Sequence, residues 1–440
     1  MPQLQNPVIV VPGITGTSLY DEYPLKPEAL WTAVLNQEHQ RLSLHPDDTR
    51  YEAIEPALIR PGRLLDTAYD DLVVALRHDL TARADHPTPV FAFPYDWRQE
   101  VKESGAQLGR FVEEVISRTR LLRHYKGYRN HSKVDLVGHS MGGLVICEYL
   151  AAGGGSRAEK VATLGTPFLG SLEALVKLLT GLGNLAGEIP KEREREAARS
   201  MPAVYQLLPS FPGAIVAAEA AGSKPETDLF KIKAWQPGVL ESLEEYIRMH
   251  AVDSGNQATR KTRAQELLGS YLKQASEHRA RVANFDLAAA GVQPANWLAI
   301  VGVGAKTRVR ASVGLQRGEP RYQISESDWV ERWTVDDTSL ETGDATVPIA
   351  GALPPFIDRK HVVAVAPADF GRWEWRDQTL ASRVGFHAML PNLNLAQRLV
   401  LRHLRGKDYK GEVWGRRAPG VAKADWDPPI PNLTCKEHDE

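Results

Sequence analysis

Two cysteines in 440 residues, Cys147 and Cys435, are too few for a disulfide framework. Cys147 sits among apolar neighbours and reads as a small buried side chain, while Cys435 lies in a polar tail. Long apolar runs are missing too. No stretch reaches the eighteen or so residues that a membrane-spanning helix needs. Neither charge dominates: 53 Lys and Arg face 55 Asp and Glu, a net of −2, which argues against a dedicated nucleic-acid surface. The stretch Pro2–Asn6 has no basic region or small-residue cleavage site and leads straight into Pro7-Val8-Ile9-Val10-Val11. The expectation is a cytoplasmic protein without a secretory leader. No His, Cys and carboxylate cluster has metal-ligand spacing, so neither a metal nor an organic cofactor is expected. Gly302-Val303-Gly304-Ala305-Lys306-Thr307 fails as a phosphate loop, because no glycine precedes the lysine.

Apolar residues are plentiful, at 43% of the chain. They form short strand candidates at 8–11, 90–93, 134–137, 161–164, 297–303 and 362–365, each bounded by Gly, Pro or polar residues. Helical patterns lie between them. Leu108, Phe111, Val112, Val115 and Leu122 share one face, as do Ala396, Leu399, Val400 and Leu404. Such alternation predicts an α/β fold with a mainly parallel sheet flanked by helices. It stops after Gly170. Residues 171–295 show no convincing strand and are too long for one loop, so they are expected to form a mostly helical cap. The expected organisation is core at 1–170, cap at 171–295, core again at 296–410 and an extended tail at 411–440. Within the cap, Leu172, Leu175, Val176, Leu179 and Leu182 share a face that packs on the core or offers itself to an acyl chain. The charge run Lys191–Glu196 reads as a solvated helix face.

The chemistry centres on Gly138-His139-Ser140-Met141-Gly142. Apolar Val134-Asp135-Leu136-Val137 precedes it and Gly143-Leu144-Val145-Ile146 follows, which spells strand, sharp turn, helix. The flanking glycines let the turn close, and the serine at its apex stands clear as a nucleophile, as in an α/β-hydrolase. A serine needs a base, and the base needs an orienting acid. In this fold both follow the nucleophile, acid first. Asp344, in Gly343-Asp344-Ala345-Thr346-Val347-Pro348, has the best context for the acid, ahead of Asp336 and Asp337. For the base, His361 opens a strand and His403 sits in a helix. His387, in a loop just before that helix, is preferred. The oxyanion of a tetrahedral intermediate needs two preplaced N–H donors. Met141, next to the nucleophile, supplies one, and the turn Val11-Pro12-Gly13-Ile14-Thr15-Gly16 the other. Thr15 is chosen, with Ile14 close behind. Ile14, Trp97 and Leu175 are candidate pocket residues.

Several segments in one order carry a family resemblance: Val11-Pro12-Gly13, Pro94-Tyr95-Asp96-Trp97-Arg98, the serine turn, Leu164-Gly165-Thr166-Pro167-Phe168-Leu169-Gly170 and the Asp344 loop. Met201–Pro209 in the cap adds another. Together they resemble the lecithin:cholesterol acyltransferase family, which includes lysosomal phospholipase A2 and the phospholipid:diacylglycerol acyltransferases. The resemblance spans residues 7–405 and implies an α/β-hydrolase fold and a serine-dependent lipase, esterase or acyltransferase. It carries the nucleophile to Ser140, the acid to Asp344, the base to His387 and one oxyanion donor to the Ile14–Thr15 turn. Its implied partners are an acyl-ester lipid and a membrane or micelle surface met through the cap, without nucleic acid. The chain departs from the commoner Gly-Asp-Gly-Thr-Val-Pro motif, with Ala345 in place of the second glycine. Asp96 and Arg98 read as an ion pair anchoring a loop. Two other readings stand beside this one: an inactive lipid- or partner-binding protein of the same fold, and a peptidase.

Overall fold

The structure, a computed structural model, describes residues 4–22, 26–32, 39–47, 59–130, 132–181, 192–218, 224–324, 329–331, 339–406 and 412–436. It starts with β1 (Val8–Val11), four apolar residues buried on both sides. A strand so covered needs helices over both faces of its sheet. Next come β2 (Thr17–Asp21), β3 (Glu28–Trp31) and β4 (Ile59–Leu64), a small antiparallel sheet in the order β3-β2-β4. Their mixed polar composition hid them from a search for apolar runs. The first half continues through α1 (Asp66–Asp79), β5 (Val90–Ala92), α2 (Val101–Arg120), β6 (Val134–His139), α3 (Met141–Ala151) and β7 (Ala158–Leu164). Helix α2 buries Leu108, Val112 and Val115 on the face its spacing predicts; Leu122 lies beyond its end and is exposed.

After Gly170 the chain forms α4 (Leu172–Thr180), α5 (Glu192–Arg199), α6 (Pro202–Gln206), β8 (Ile215–Ala217), α7 (Pro237–His250) and the long α8 (Gln257–Ala283). It returns as β9 (Trp297–Gly302), leaves again through β10 (Thr307–Arg308), β11 (Ala311–Gln316), β12 (Glu319–Gln323) and β13 (Trp329–Val330), and re-enters by α9 (Ile349–Ala352) and β14 (Val362–Val365). Helices α10 (Trp375–Val384), α11 (Phe386–Met389) and α12 (Asn394–Arg405) lead to β15 (Trp414–Arg417) and β16 (Thr434–Cys435).

The main sheet has the order β16-β15-β14-β9-β7-β6-β1-β5. From β14 to β5 every neighbour is parallel; β15 runs antiparallel to β14. Two expectations are corrected. The segment from 411 onward is not a simple extended tail, because β15 and β16 extend the sheet. The cap segment is not strand-free, because β8 pairs in parallel with β11, joining it to residues assigned to the second core segment. β8 is apolar but only three residues long and β11 mixes small and polar residues, and pairing with each other decides their conformation.

Strand periodicity splits the core. Ile9 and Val11 point to one apolar cluster, shared with α2, α3 and the cap helices; Val8 and Val10 point to the other, packed by α1 and α12. Each fully buried Val or Leu of this kind contributes about 1.5–3 kcal/mol. The cap joins the first cluster through buried charge. Arg279 of α8 donates to the carbonyls of Pro167, Phe168 and Gln206, and Glu148 of α3 holds His278 (2.6 Å) and Arg281 (2.9 Å). The charge run is corrected as well: Glu194 turns inward and pairs with Lys177, while Arg193 and Glu196 face outward. Leu182 and Lys191 lie outside the described residues. Among the described residues no helix is long and apolar enough to cross a membrane.

Candidate active site

Register places the carboxyl ends of the central strands side by side: Val11 against Gly138, His139 against Leu164 and Val365 against Gly302. In open α/β sheets ligands gather at this edge. Ser140 follows β6 there, with φ 52° and ψ −128°, a conformation that L-residues rarely adopt. Its amide donates to the Leu164 carbonyl at 2.8 Å, and Gly143 N–H returns to its own carbonyl at 3.1 Å. The glycines are required by close approach. A Cβ on Gly138 would stand 2.8 Å from Gly143 N, and one on Gly142 would stand 2.2 Å from the Val11 carbonyl oxygen.

The three side chains proposed from chain order and loop context meet. Ser140 Oγ lies 2.8 Å from His387 Nε2, and His387 Nδ1 lies 2.6 Å from Asp344 Oδ2. Asp344 is fully buried, and its Oδ1 accepts from the amides of Thr346 (3.0 Å) and Val347 (2.6 Å). Acceptor-only carboxylate oxygens on one side require Nδ1 to carry the imidazole hydrogen, leaving the Nε2 lone pair for the serine hydroxyl. The His387 amide also donates to the Asp344 carbonyl at 2.8 Å. Gly165, at φ +57°, leaves room for the pair: a Cβ there would stand 2.9 Å from Asp344 Oδ2 and 3.0 Å from His387 Nδ1. The rejected histidines sit elsewhere. His361 Nδ1 contacts the Asp427 carbonyl, and His403 reaches the carbonyls of Pro429 and Asn296. Asp336 and Asp337 lie outside the described residues.

The turn after β1 abuts the serine; a Cβ on Gly13 would stand 2.7 Å from Ser140 Cβ. Thr15 has φ +61°, and its hydroxyl holds the Ile14 carbonyl at 2.6 Å. That bond sets the orientation of the Ile14–Thr15 peptide, whose N–H is one candidate donor. Indole and phenol groups hold the turn from outside: Trp31 Nε1 on the Thr15 carbonyl (2.9 Å), Tyr95 on Pro12 (2.9 Å) and Trp97 Nε1 on Thr17 (3.0 Å). Asp96 and Arg98 form a two-pronged pair at 2.9 and 2.7 Å, with Arg98 fully buried. Met141 opens α3, where the first N–H groups of a helix have no intrahelical acceptor.

A cavity of about 230 Å³ opens over Ser140 and His387. Ile14, Thr15 and Trp97 line it; Met201, Val204 and Leu207 close it from the cap. Leu175 does not line it, which corrects the expectation. On α4 the cavity receives Glu173, Ala174 and Lys177, while Leu175 turns into the apolar core. Residues at 100° spacing on one helix cannot all share a face. Glu173 and the Lys177–Glu194 pair put ionisable groups into this otherwise apolar wall. Burial raises the Glu173 carboxyl to about 7, against the pull of Arg308 and Lys177. Tyr69 and His139 also border the cavity, and sequence reasoning gave them no role. The signal for His139 was its place beside the nucleophile; Tyr69 had none. Among the described residues no three His, Cys, Asp or Glu side chains converge to hold a metal ion. Cys147 and Cys435 are both free thiols.

A strained serine at the carboxyl edge of a doubly covered parallel sheet, with an insertion after the next strand, defines an α/β-hydrolase. The solved structure titled "The crystal structure of Tle4-Tli4 complex" shares this fold, aligning over 92% of this chain and 99% of that one with TM-score 0.59 and 16% identity. The chain belongs to the lecithin:cholesterol acyltransferase family, whose pattern matches residues 81–349. The Bacillus licheniformis lipase BlEst2 in mature form aligns over 47% of this chain and 56% of its own with 18% identity and a TM-score of 0.24. No curated protein matches the chain.

Proposed function

We propose that this chain transfers acyl groups from lipid-like esters to water or an acceptor alcohol through an acyl-enzyme on Ser140. The observation that carries the reading is the unbroken Ser140–His387–Asp344 hydrogen-bond relay at the floor of an apolar cavity. Ser140 Oγ attacks the ester carbonyl while His387 Nε2 takes its proton, and Asp344 holds the imidazole and stabilises the imidazolium. The amides of Met141 and Thr15 receive the oxyanion. His387 then protonates the departing alkoxide, and the reverse sequence with water or alcohol releases the acyl group. The family membership and the apolar wall support an acyl-ester lipid as substrate, met at a membrane or micelle surface through the cap.

A fluorophosphonate probe tests the nucleophile. It should label Ser140, and Ser140→Ala should neither react nor turn over a nitrophenyl ester. Labelling of another serine, or turnover by Ser140→Ala, would overturn the reading. A series of acyl esters of rising chain length, with and without phosphatidylcholine vesicles, tests the substrate. Preference for long chains presented on vesicles is expected; preference for short soluble esters would remove the lipid assignment.

A further inference from the structure

Three hydrogen bonds behind the relay form a second line through the site. Gly13 N–H donates to the Tyr69 oxygen at 2.8 Å. The Tyr69 hydroxyl lies 2.8 Å from His139 Nδ1. His139 Nε2 lies 2.9 Å from the carbonyl oxygen of His387. With a neutral imidazole only one proton assignment serves all three. The His387 carbonyl can only accept, so His139 Nε2 carries the hydrogen. Nδ1 is then an acceptor, and the Tyr69 O–H must donate to it. The Tyr69 lone pairs remain for Gly13. In the other tautomer a ring lone pair would face the carbonyl oxygen, two acceptors in contact. Burial, with the neighbouring His387, holds His139 well below the ordinary histidine range, and burial pushes the Tyr69 hydroxyl up. Both groups therefore stay neutral.

We propose that Tyr69 and His139 are positioning residues, a single chain that sets the oxyanion turn and the His387 loop against Ser140 as one unit. The inference rests on the roles proposed above for Ser140, His387 and the turn. The chain starts on the turn that offers the Thr15 amide, runs through the residue next to the nucleophile and ends on the peptide of the base. The His387 peptide is thus held from both sides, its N–H by the Asp344 carbonyl and its C=O by His139. The turn closes onto the phenol: a Cβ on Gly16 would stand 2.8 Å from the Tyr69 oxygen. Neutrality matters during reaction as well. The His139 ring is 5.0 Å from the His387 ring, where a second positive charge would oppose the imidazolium.

Tyr69→Phe keeps the ring and removes the middle link. With the fold verified by circular dichroism, kcat for a nitrophenyl ester and the rate of fluorophosphonate labelling should both fall roughly tenfold to a hundredfold, as for a small misplacement of reacting groups. KM should stay within about twofold of wild type. His139→Gln, which retains a donor for the His387 carbonyl, should keep more activity than His139→Leu. Tyr69→Phe added to His139→Leu should cost nothing further, because a broken chain cannot break twice. Wild-type labelling of Tyr69→Phe would overturn the chain and leave the nucleophile standing, provided that Ser140→Ala is inert. Additive losses in the double variant, or a raised KM with unchanged kcat, would also overturn it, since either makes Tyr69 a wall of the cavity only. Labelling of Ser140→Ala would instead remove the reading on which the chain depends.

Discussion

The sheet edge and the cap both bury polar groups, and they do so in different ways. At the edge the groups of the relay and of the line behind it are met at short range, and the exception, Thr166 Oγ1 beside Gly143, lies outside both. Asp344 accepts from two amides and one imidazole, His139 is bonded at both ring nitrogens, and Ser140 meets His387. The cap wall is looser. Glu173 Oε1 in the cavity wall lies 3.7 Å from Arg308 Nε and has no hydrogen-bond partner, and in the joint between α8 and the core, away from the cavity lining, His278 Nε2 and Arg279 Nε are likewise unmet. Full satisfaction favours one rigid arrangement, which chemistry requires. Partial satisfaction leaves stability tied to protonation and to what enters the cavity. The contrast suits a fixed reaction centre beneath an adaptable substrate wall.

The sharpest way to break the comparison is at the edge. Asp344→Asn should lower kcat by about 10⁴, because the amide leaves the imidazole in the wrong tautomer; ester turnover measures it. In the cap joint, Arg279→Met removes the donor to three buried carbonyls and should cost about 3 kcal/mol of stability, read by urea unfolding, while fluorophosphonate still labels Ser140.

Glu173 tests the cap through pH. Its folded carboxyl is raised to about 7, so between the unfolded carboxyl range near 4.3 and pH 7 the folded state binds more protons than the unfolded state. Stability should therefore fall as pH rises through that window, by on the order of 2–3 kcal/mol. Glu173→Gln should flatten the slope, checked by urea midpoints at several pH values. An unchanged slope would place Glu173 with the tightly met groups and blur the contrast. The smallest effect is expected at Ala345. It has φ +80°, where glycine is at ease and alanine is strained. Ala345→Gly should raise stability by about 0.5–1 kcal/mol, the relief of strain exceeding the added chain entropy, and calorimetry would register it.

Much of the edge was legible before the fold. Strands β1, β6, β9 and β14 are short apolar runs because they are covered on both faces, and such runs announce themselves. Ser140 was legible because its turn demands glycine on both sides. Asp344 and His387 followed from chain order and loop context. The strands β2 to β4, β15 and β16 were not legible, since half-exposed or very short strands carry no apolar signature, and the apolar β8 was missed because three residues are too few to read as a strand. Leu175 was misplaced because a helical stripe shows which residues share a face, not which cavity that face meets. The inward turn of Glu194 was hidden for the opposite reason: a charge reads as exposed until a partner such as Lys177 is seen beside it.

Sequence alone determined the local conformations of the doubly covered strands, the point where a glycine-flanked serine must protrude and which helices bury a stripe. These depend on sterics and spacing within a few residues. Tertiary structure alone decided that Tyr69, 70 positions before His139, donates to its ring, and that His139 in turn holds the peptide of a residue 248 positions later. Contacts between distant segments are set by how layers pack, and no local pattern records them.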